Sequence, residues 1–441
     1  MILKNFWKKA VLCILICSVC VVGYADCLDS DTGVVSSSSC GGGRLKIGGY
    51  GEAVMTRNYF SDHIYRYTNA AAHANDDSHG RFDIPRVALN LGYDLGKGWS
   101  LGMEVEYEHG GSGGAVELDA DESGEYEAET EKGGEVALEQ FWIEKSFGRL
   151  FKVRVGEIVV PVGLTNKNHE PVEFFSCYRP EGEEALFPCT WHQMGLSLGG
   201  MVGDFHYEAL FLPALTSERF GSNCFVHYGA TSCYEFQIAN NYAVAARIDN
   251  YSVKGLRVGL SGYYGETFKN TLRTIGSRYE NVRGALAIGS VDFEYNDYGI
   301  VARGYADYAH LGDADLITAF NKNYPLHSAQ DGSPSKHQPL ASNALAIGVE
   351  AGYDVMRFLN KSTSEKLYVF GRYEYYDAMA SSTYRSAYEW CKTNRMAVGL
   401  NYFPMSDVVV KAEYSKRFLK SQFNNEPSVS VAIAWSGLLM K

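Results

Sequence analysis

The stretch 139–163, EQFWIEKSFGRLFKVRVGEIVVPVG, alternates apolar and polar side chains with a period of two on both sides of a short turn. Phe141, Ile143 and Phe147 oppose Trp142, Glu144 and Ser146. After Gly148-Arg149, Phe151, Val153, Val155 and Val159 oppose Lys152, Arg154 and Gly156. Such a hairpin turns one face to an apolar medium and the other to a polar one. Pro161 has no amide hydrogen to give a sheet ladder, and Gly163 frees the backbone to turn, so the hairpin ends there. A soluble β-protein could hold one such hairpin; here they tile the chain. Sixteen segments have strand character, near 44–56, 80–94, 98–108, 135–147, 150–160, 191–200, 203–213, 241–250, 255–265, 282–296, 298–309, 343–354, 366–377, 393–403, 407–417 and 427–436. An even count closes an antiparallel barrel with both ends on one side.

The connections sort by length. Gly96-Lys97-Gly98, Gly148-Arg149, Met201-Val202-Gly203, Asn296-Asp297 and Pro404-Met405-Ser406 read as tight turns. Between them lie 57–79, 109–134, 161–190, 214–240, 266–281, 310–342 and 378–392. Short periplasmic turns and long extracellular loops are the habit of a transmembrane β-barrel. Composition agrees: 31 tyrosines, 22 phenylalanines and 46 glycines accompany no mature stretch long and apolar enough for a membrane helix. The expected fold is therefore all-β, a sixteen-stranded antiparallel transmembrane barrel over 44–436. Trp99, Tyr107, Tyr353, Tyr375, Tyr402 and Trp435 stand at strand ends, where aromatic girdles meet the membrane interfaces.

The N-terminus reads as a signal peptide over 1–25. Lys4, Lys8 and Lys9 precede the apolar run Ala10–Val22, and Gly23-Tyr24-Ala25 supplies small residues for cleavage after Ala25. Val19 and Asp26 precede Cys20 and Cys27 where a lipoprotein would need a small residue, which argues against lipidation. Residues 26–43 read as a flexible leader. Losing three lysines takes the formal charge of −12 to −15, so nucleic acid is not an expected partner. No phosphate-binding loop or dinucleotide fingerprint occurs, and neither an enzyme nor a cofactor is expected.

RFDIPRVALNLGYDL at 81–95, RVGEIVVPVGL at 154–164, GLSGYYGE at 259–266 and NRMAVGLNYF at 394–403 resemble the phosphate-selective porin O and P family of outer-membrane porins. The resemblance runs from about 40 to 435. It implies a homotrimeric channel in the outer membrane of a Gram-negative-type bacterium, with an inward-folded third loop, here 161–190. Pro161, Pro171, Pro180 and Pro188 keep that loop out of a ladder, and its aromatic residues need something to pack against. The chain departs from the family in extending beyond Trp435, with 437–441 read as a C-terminal extension, and in its charge.

Alternation places Arg86, Glu104, Glu106, Arg154, Arg247, Arg257, Arg303, Asp307, Arg372, Glu374 and Arg395 on the inward face, with Lys46, Glu52, Glu208, Asp249, Asp292, Glu294, Glu350, Lys411 and Glu413 beside them. Arg179, Glu181, Glu183 and Glu184 of the loop are expected at the narrowest gap. A phosphate channel needs an uninterrupted inward basic ladder. This wall is mixed, and Arg247/Asp249, Arg303/Asp307, Arg372/Glu374 and Lys411/Glu413 are candidate pairs. A general pore for ions and small hydrophilic solutes is the better expectation, with a non-conducting surface-binding barrel or a barrel enzyme as alternatives. Cys177/Cys189 and Cys224/Cys233 are candidate loop disulfides, as is Cys27/Cys40, leaving Cys391 over. The acids of 109–134 form a solvated loop more readily than a Ca²⁺ site, since no ligand spacing is fixed. His63, His73, His79 and His109 sit on loops and match no catalytic motif. No metal site is expected.

Overall fold

The computed structural model describes residues 44–440, except 64–65, 67–69, 110–112, 119–127, 134–135, 233–235, 324–338, 360–363, 385, 387 and 421–422. Residues 1–43, read from the sequence as signal peptide and leader, lie outside the described residues. Sixteen antiparallel strands form one closed barrel. They are β1 (Leu45–Asn58), β2 (His79–Asp83 and, beyond Ile84-Pro85, Arg86–Gly96), β3 (Trp99–Glu108), β4 (Val136–Ser146), β5 (Lys152–Val159), β6 (His192–Val202), β7 (Phe205–Pro213) and β8 (Tyr242–Val253). The second half comprises β9 (Leu256–Glu266), β10 (Ala285–Asp297), β11 (Ile300–Leu311), β12 (Asn343–Asp354), β13 (Lys366–Ser381), β14 (Lys392–Met405), β15 (Val408–Arg417) and β16 (Ser428–Met440). Each strand pairs with its sequence neighbours. β1 closes the ring, pairing Asn58 with Ser428 on β16 and Gly51 with Val87 on β2. A closed ladder leaves no edge to face hydrocarbon, and no helix among the described residues is long and apolar enough to cross a membrane.

The faces follow the alternation. On β8, Val244 and Ile248 are about half exposed (52% and 50%), whereas Arg247 and Asp249 are 3% and 0% exposed. Val87, Leu89, Phe141, Ile143, Leu196, Leu260, Val349 and Val398 continue the outer apolar belt. In water such a belt would be an aggregation surface; it is the kind of surface that lipid solvates. Tight turns close one end of the barrel. At Lys97-Gly98 and Tyr298-Gly299 both central residues have positive φ, the twist that suits a two-residue hairpin. The glycine takes the second of these positions each time.

The details that departed from simple alternation are local. Pro85 splits β2: Asp83 pairs with Val54 and Val87 with Gly51, so β2 carries one residue more than β1 opposite it. A bulge in β4 pairs Gln140 with Glu104 and Leu138 with Val105, leaving Glu139 extra. Glu139 and Gln140 are consequently both buried inside. β16 does not end at Trp435. Gly437 and Leu438 pair with Gly49 and Gly48, and Met440 with Ile47, so residues read as an extension lengthen the strand. The turn between β10 and β11 falls at Tyr298-Gly299, two residues later than the sequence suggested.

The interior is packed rather than empty. Gly102 on β3 admits the ring of Trp142, which a Cβ there would approach within 2.3 Å. Trp142 is 1% exposed and lies under the Arg154 guanidinium, 4.2 Å from the ring centroid. At the long-loop end, Trp191, Tyr263, Phe268, Tyr279, Phe320 and Ile317 belong to one apolar core. That core lies between the 161–190 loop, the loops after β7 and β9, and the helix Ala314–Asn323.

Candidate functional site

The 161–190 segment leaves the ladder at Pro161 and turns into the barrel. Phe174, Phe175, Leu186 and Phe187 bury themselves there, at 4%, 4%, 0% and 0% exposure. Gly352 on β12 makes the room for Phe175, whose Cζ would stand 2.5 Å from a Cβ at that glycine. Backbone groups of the loop, which have no strand partner, are met by inward side chains around the wall. Ser261 Oγ on β9 accepts from the Gly163 amide at 3.1 Å, and Arg247 Nη1 donates to the Gly163 carbonyl at 2.9 Å. Arg86 donates to the His169 carbonyl at 2.7 Å. Lys411 on β15 donates to the carbonyls of Pro171, Phe174 and Ser176 at 2.6, 2.9 and 2.8 Å. Glu413 and Glu374 accept from the Cys177 and Gly182 amides at 2.8 and 2.9 Å. The loop therefore spans the lumen and is anchored on both sides of it.

Ion pairs fill the space around the loop. Arg247 Nη2 lies 2.8 Å from both Asp249 and Asp292, and Arg257 reaches Asp249 at 2.9 Å and also contacts Asp292. Arg303 pairs with Glu350 at 2.9 Å and Glu294 at 3.4 Å, and Arg372 with Glu350 at 3.3 Å and Glu374 at 3.0 Å. Arg154 grips Glu144 at 2.8 Å. Of the pairs expected from spacing, Arg247/Asp249 and Arg372/Glu374 form. Arg303 turns instead to neighbouring strands, leaving both Asp307 oxygens buried without a hydrogen bond. Lys411 is drawn to the loop carbonyls and Glu413 to a loop amide, because unpaired backbone dipoles in the lumen compete with the same-strand partner.

A cavity of about 670 Å³ opens above the loop. Arg179, Glu181 and Glu184 line it together with Arg86, Arg395 and Arg417. Its wall presents six carboxylates (Glu52, Asp62, Glu108, Glu181, Glu184, Glu426) and six guanidinium groups (Arg66, Arg81, Arg86, Arg179, Arg395, Arg417), so neither sign dominates. Glu181, in the short helix Glu181–Glu184, holds the loop to the far wall. It meets Arg395 at 2.7 Å and Arg417 at 3.0 Å, and accepts from Tyr376 at 2.8 Å. Burial pushes its carboxyl pKa up, but Arg395 and Arg417 outweigh burial and bring it down to about 2. Glu183, expected at the gap, faces away from it. It is 0% exposed and accepts from the Leu164 and Thr165 amides at 2.6 and 2.5 Å, bracing the loop against itself. Arg86, Glu104, Glu106, Arg154, Arg247, Arg257, Asp307, Arg372 and Glu374 are less than a tenth exposed, and Arg303 and Arg395 somewhat more.

Cys177 and Cys189 do not pair; both are free thiols. Cys177 packs with Val54 and Ala432 near β1 and β16, whereas Cys189 packs at the edge of the large apolar core, so the loop's own fold separates them. Cys224 is buried, and Cys233 lies outside the described residues. His63 and His73 stack with ring centroids 4.0 Å apart, and His73 pairs with Asp76 at 2.9 Å. Ser61 donates to the same Asp76 carboxylate at 2.6 Å. The side chains of the acidic 109–134 loop lie largely outside the described residues. Glu139 and His169 were missed by alternation. The bulge in β4 reverses the face of Glu139, and His169 sits in a loop where no period applies.

Fold and interior together define a closed sixteen-stranded antiparallel β-barrel of porin-like architecture. It is similar to OmpF of Salmonella typhi, solved in complex with daunomycin, with a TM-score of 0.53 and 10% identity over 89% of this chain and 97% of that one. The outer-membrane channel DcaP of Acinetobacter baumannii is a weaker likeness, with a TM-score of 0.49 and 11% identity over 89% and 97% of the two chains. In sequence, an uncharacterized protein of Aquifex aeolicus strain VF5 is 26% identical over 397 residues, 89% of this chain and 79% of that one. No family model matches the chain.

Proposed function

We propose that the protein is an outer-membrane channel of narrow bore for ions and small hydrophilic solutes, with the 161–190 loop as its constriction. The observation that carries this reading is the loop itself, held across a polar lumen by side chains from opposite walls. The cavity above it, with Arg179, Glu181 and Glu184 on its floor, would be the external vestibule, and the tight turns would face the periplasm. Phosphate selectivity, which the family resemblance suggests, finds little support. The inward arginines are engaged by carboxylates, so no bare basic ladder remains to replace an anion's hydration. We read the protein as a channel and not as an enzyme. A homotrimer is carried over from the family resemblance; light scattering in detergent would return three protomer masses if it holds and one if it does not.

A second reading, a non-conducting surface-binding barrel, is favoured by the burial of the inward charges. Planar-bilayer recording separates the two. Discrete conductance steps from purified protein support the channel, and silence under all voltages and salts supports the surface-binding barrel.

A further inference from the structure

Under the vestibule, where the loop meets β3 and β4, acidic groups are concentrated beyond what their neighbours neutralise. Glu52, Glu104, Glu106 and Glu139 are 5%, 0%, 2% and 4% exposed. They gather around Arg86, which stands 3.7 Å from Glu52 and 3.9 Å from Glu106 and gives its best hydrogen bond to the His169 carbonyl. Ionised carboxylates removed from water either acquire a cation or give up their charge. Among them, Glu104, Glu139 and His169 bring one donor atom each within 4.8 Å of one another.

His169 supplies an independent sign of a ligand. It is 4% exposed, and neither ring nitrogen has a hydrogen-bond partner. Its Nε2 points at Glu104 Oε1 from 3.9 Å, too far for a hydrogen bond, and that oxygen is equally orphaned. The rest of the cluster is built to hold these atoms in place. Gln140 Nε2 donates to the other Glu104 oxygen at 2.5 Å, and the Tyr50 ring packs edge-on against the imidazole, with centroids 5.9 Å apart. Tyr50 also directs its hydroxyl to Glu106 at 2.7 Å and, more distantly, to Glu139 at 3.5 Å.

We propose that Glu104, Glu139 and His169 bind a divalent first-row transition-metal ion that clasps the inward loop to β3 and β4. One imidazole and two carboxylates suit zinc, manganese or ferrous iron better than the all-oxygen set that calcium prefers. Three ligands ~2.1 Å from a tetrahedral ion stand ~3.4 Å apart, so donor atoms now within 4.8 Å of one another close onto it with shifts of up to ~0.8 Å each. The ion would satisfy both orphaned atoms and offset the local negative charge. It would also tie the loop through His169 to the one bulge in β4, which gives that bulge a purpose.

The test uses full-length refolded protein equilibrated with excess ZnCl₂ and desalted, with zinc counted by plasma mass spectrometry. About one zinc per chain should remain, and it should be lost from Glu104→Gln and from His169→Gln. A His63→Ala/His73→Ala double variant controls for the surface histidines and should keep its zinc. Wild type substituted with Co²⁺ should show visible ligand-field bands, which need no variant to fold. Protease cleavage within 161–190 should accelerate on chelation, by up to ~100-fold when zinc had been at 100 times its Kd. The clasp's effect on current rests on the channel reading; zinc content, cobalt bands and cleavage do not. Zinc retained by both single variants, or no zinc and no cobalt bands in wild type, would overturn the proposal.

Discussion

Replacing Lys411 by Met should release the inward loop without unfolding the barrel. The ammonium is 1% exposed, donates to three loop carbonyls at 2.6–2.9 Å, and lies 4.3 Å from the centre of the Phe174 ring. A hydrogen bond from a charged donor contributes about 1.5–3 kcal/mol. Three would sum to about 4.5–9 kcal/mol if additive, but they share one desolvated charge. Removing one member of such a buried cluster costs about 3–5 kcal/mol, which we take as the loss of loop anchoring. Met keeps the apolar stem beside Phe174, so the change falls mainly on the three carbonyls. About 4 kcal/mol is a factor of roughly 10³ in the population of the released loop. Limited proteolysis reads that population when reclosing outpaces cleavage. Cleavage within 161–190 should therefore quicken by two to three orders of magnitude, while the heat-modifiable gel shift of the folded barrel is retained. A folded variant cleaved within about threefold of the wild-type rate would refute the anchoring role.

Glu181 should make the loop acid-sensitive in a defined window. Its folded pKa of about 2 lies below the unfolded value of about 4.3, so its contribution is full above the latter and fades as pH falls through the former; loop cleavage by an acid protease should rise between these limits in wild type but not in Glu181→Gln. Reversal potentials in a KCl gradient should show weak cation preference or none, without phosphate block, because the vestibule balances six acids against six arginines; strong anion preference with block would restore the phosphate reading. Gly102→Val should abolish or severely weaken refolding, since its Cβ would lie 2.3 Å from the buried Trp142 ring; refolding at wild-type yield would show that the interior repacks freely.

Much of the barrel was legible because a transmembrane strand writes both of its solvents into the sequence. Val244 and Ile248 against Arg247 and Asp249 need no neighbour to be read correctly. The places that failed are those where contacts between distant segments overrule the period. Glu139 changes face because β4 carries one residue more than β3 opposite it, and nothing in VALEQFWIEK marks which residue bulges. Lys411 has a carboxylate two residues away, yet binds carbonyls 235–240 positions distant, since a lumen-crossing loop leaves those groups unsatisfied. Cys177 and Cys189 look paired by spacing until the loop sends them to different walls. That the loop turned inward could be inferred from its prolines and aromatics; that it would reach both walls could not.

On the channel reading this barrel conducts, and 161–190 sets how much. Single-channel recording of wild type beside a variant lacking 170–186 tests it most directly. Small discrete steps from wild type and clearly larger ones from the deletion are the predicted result. Equal steps from the two would remove the loop from the constriction, and silence from both folded proteins would contradict the channel altogether.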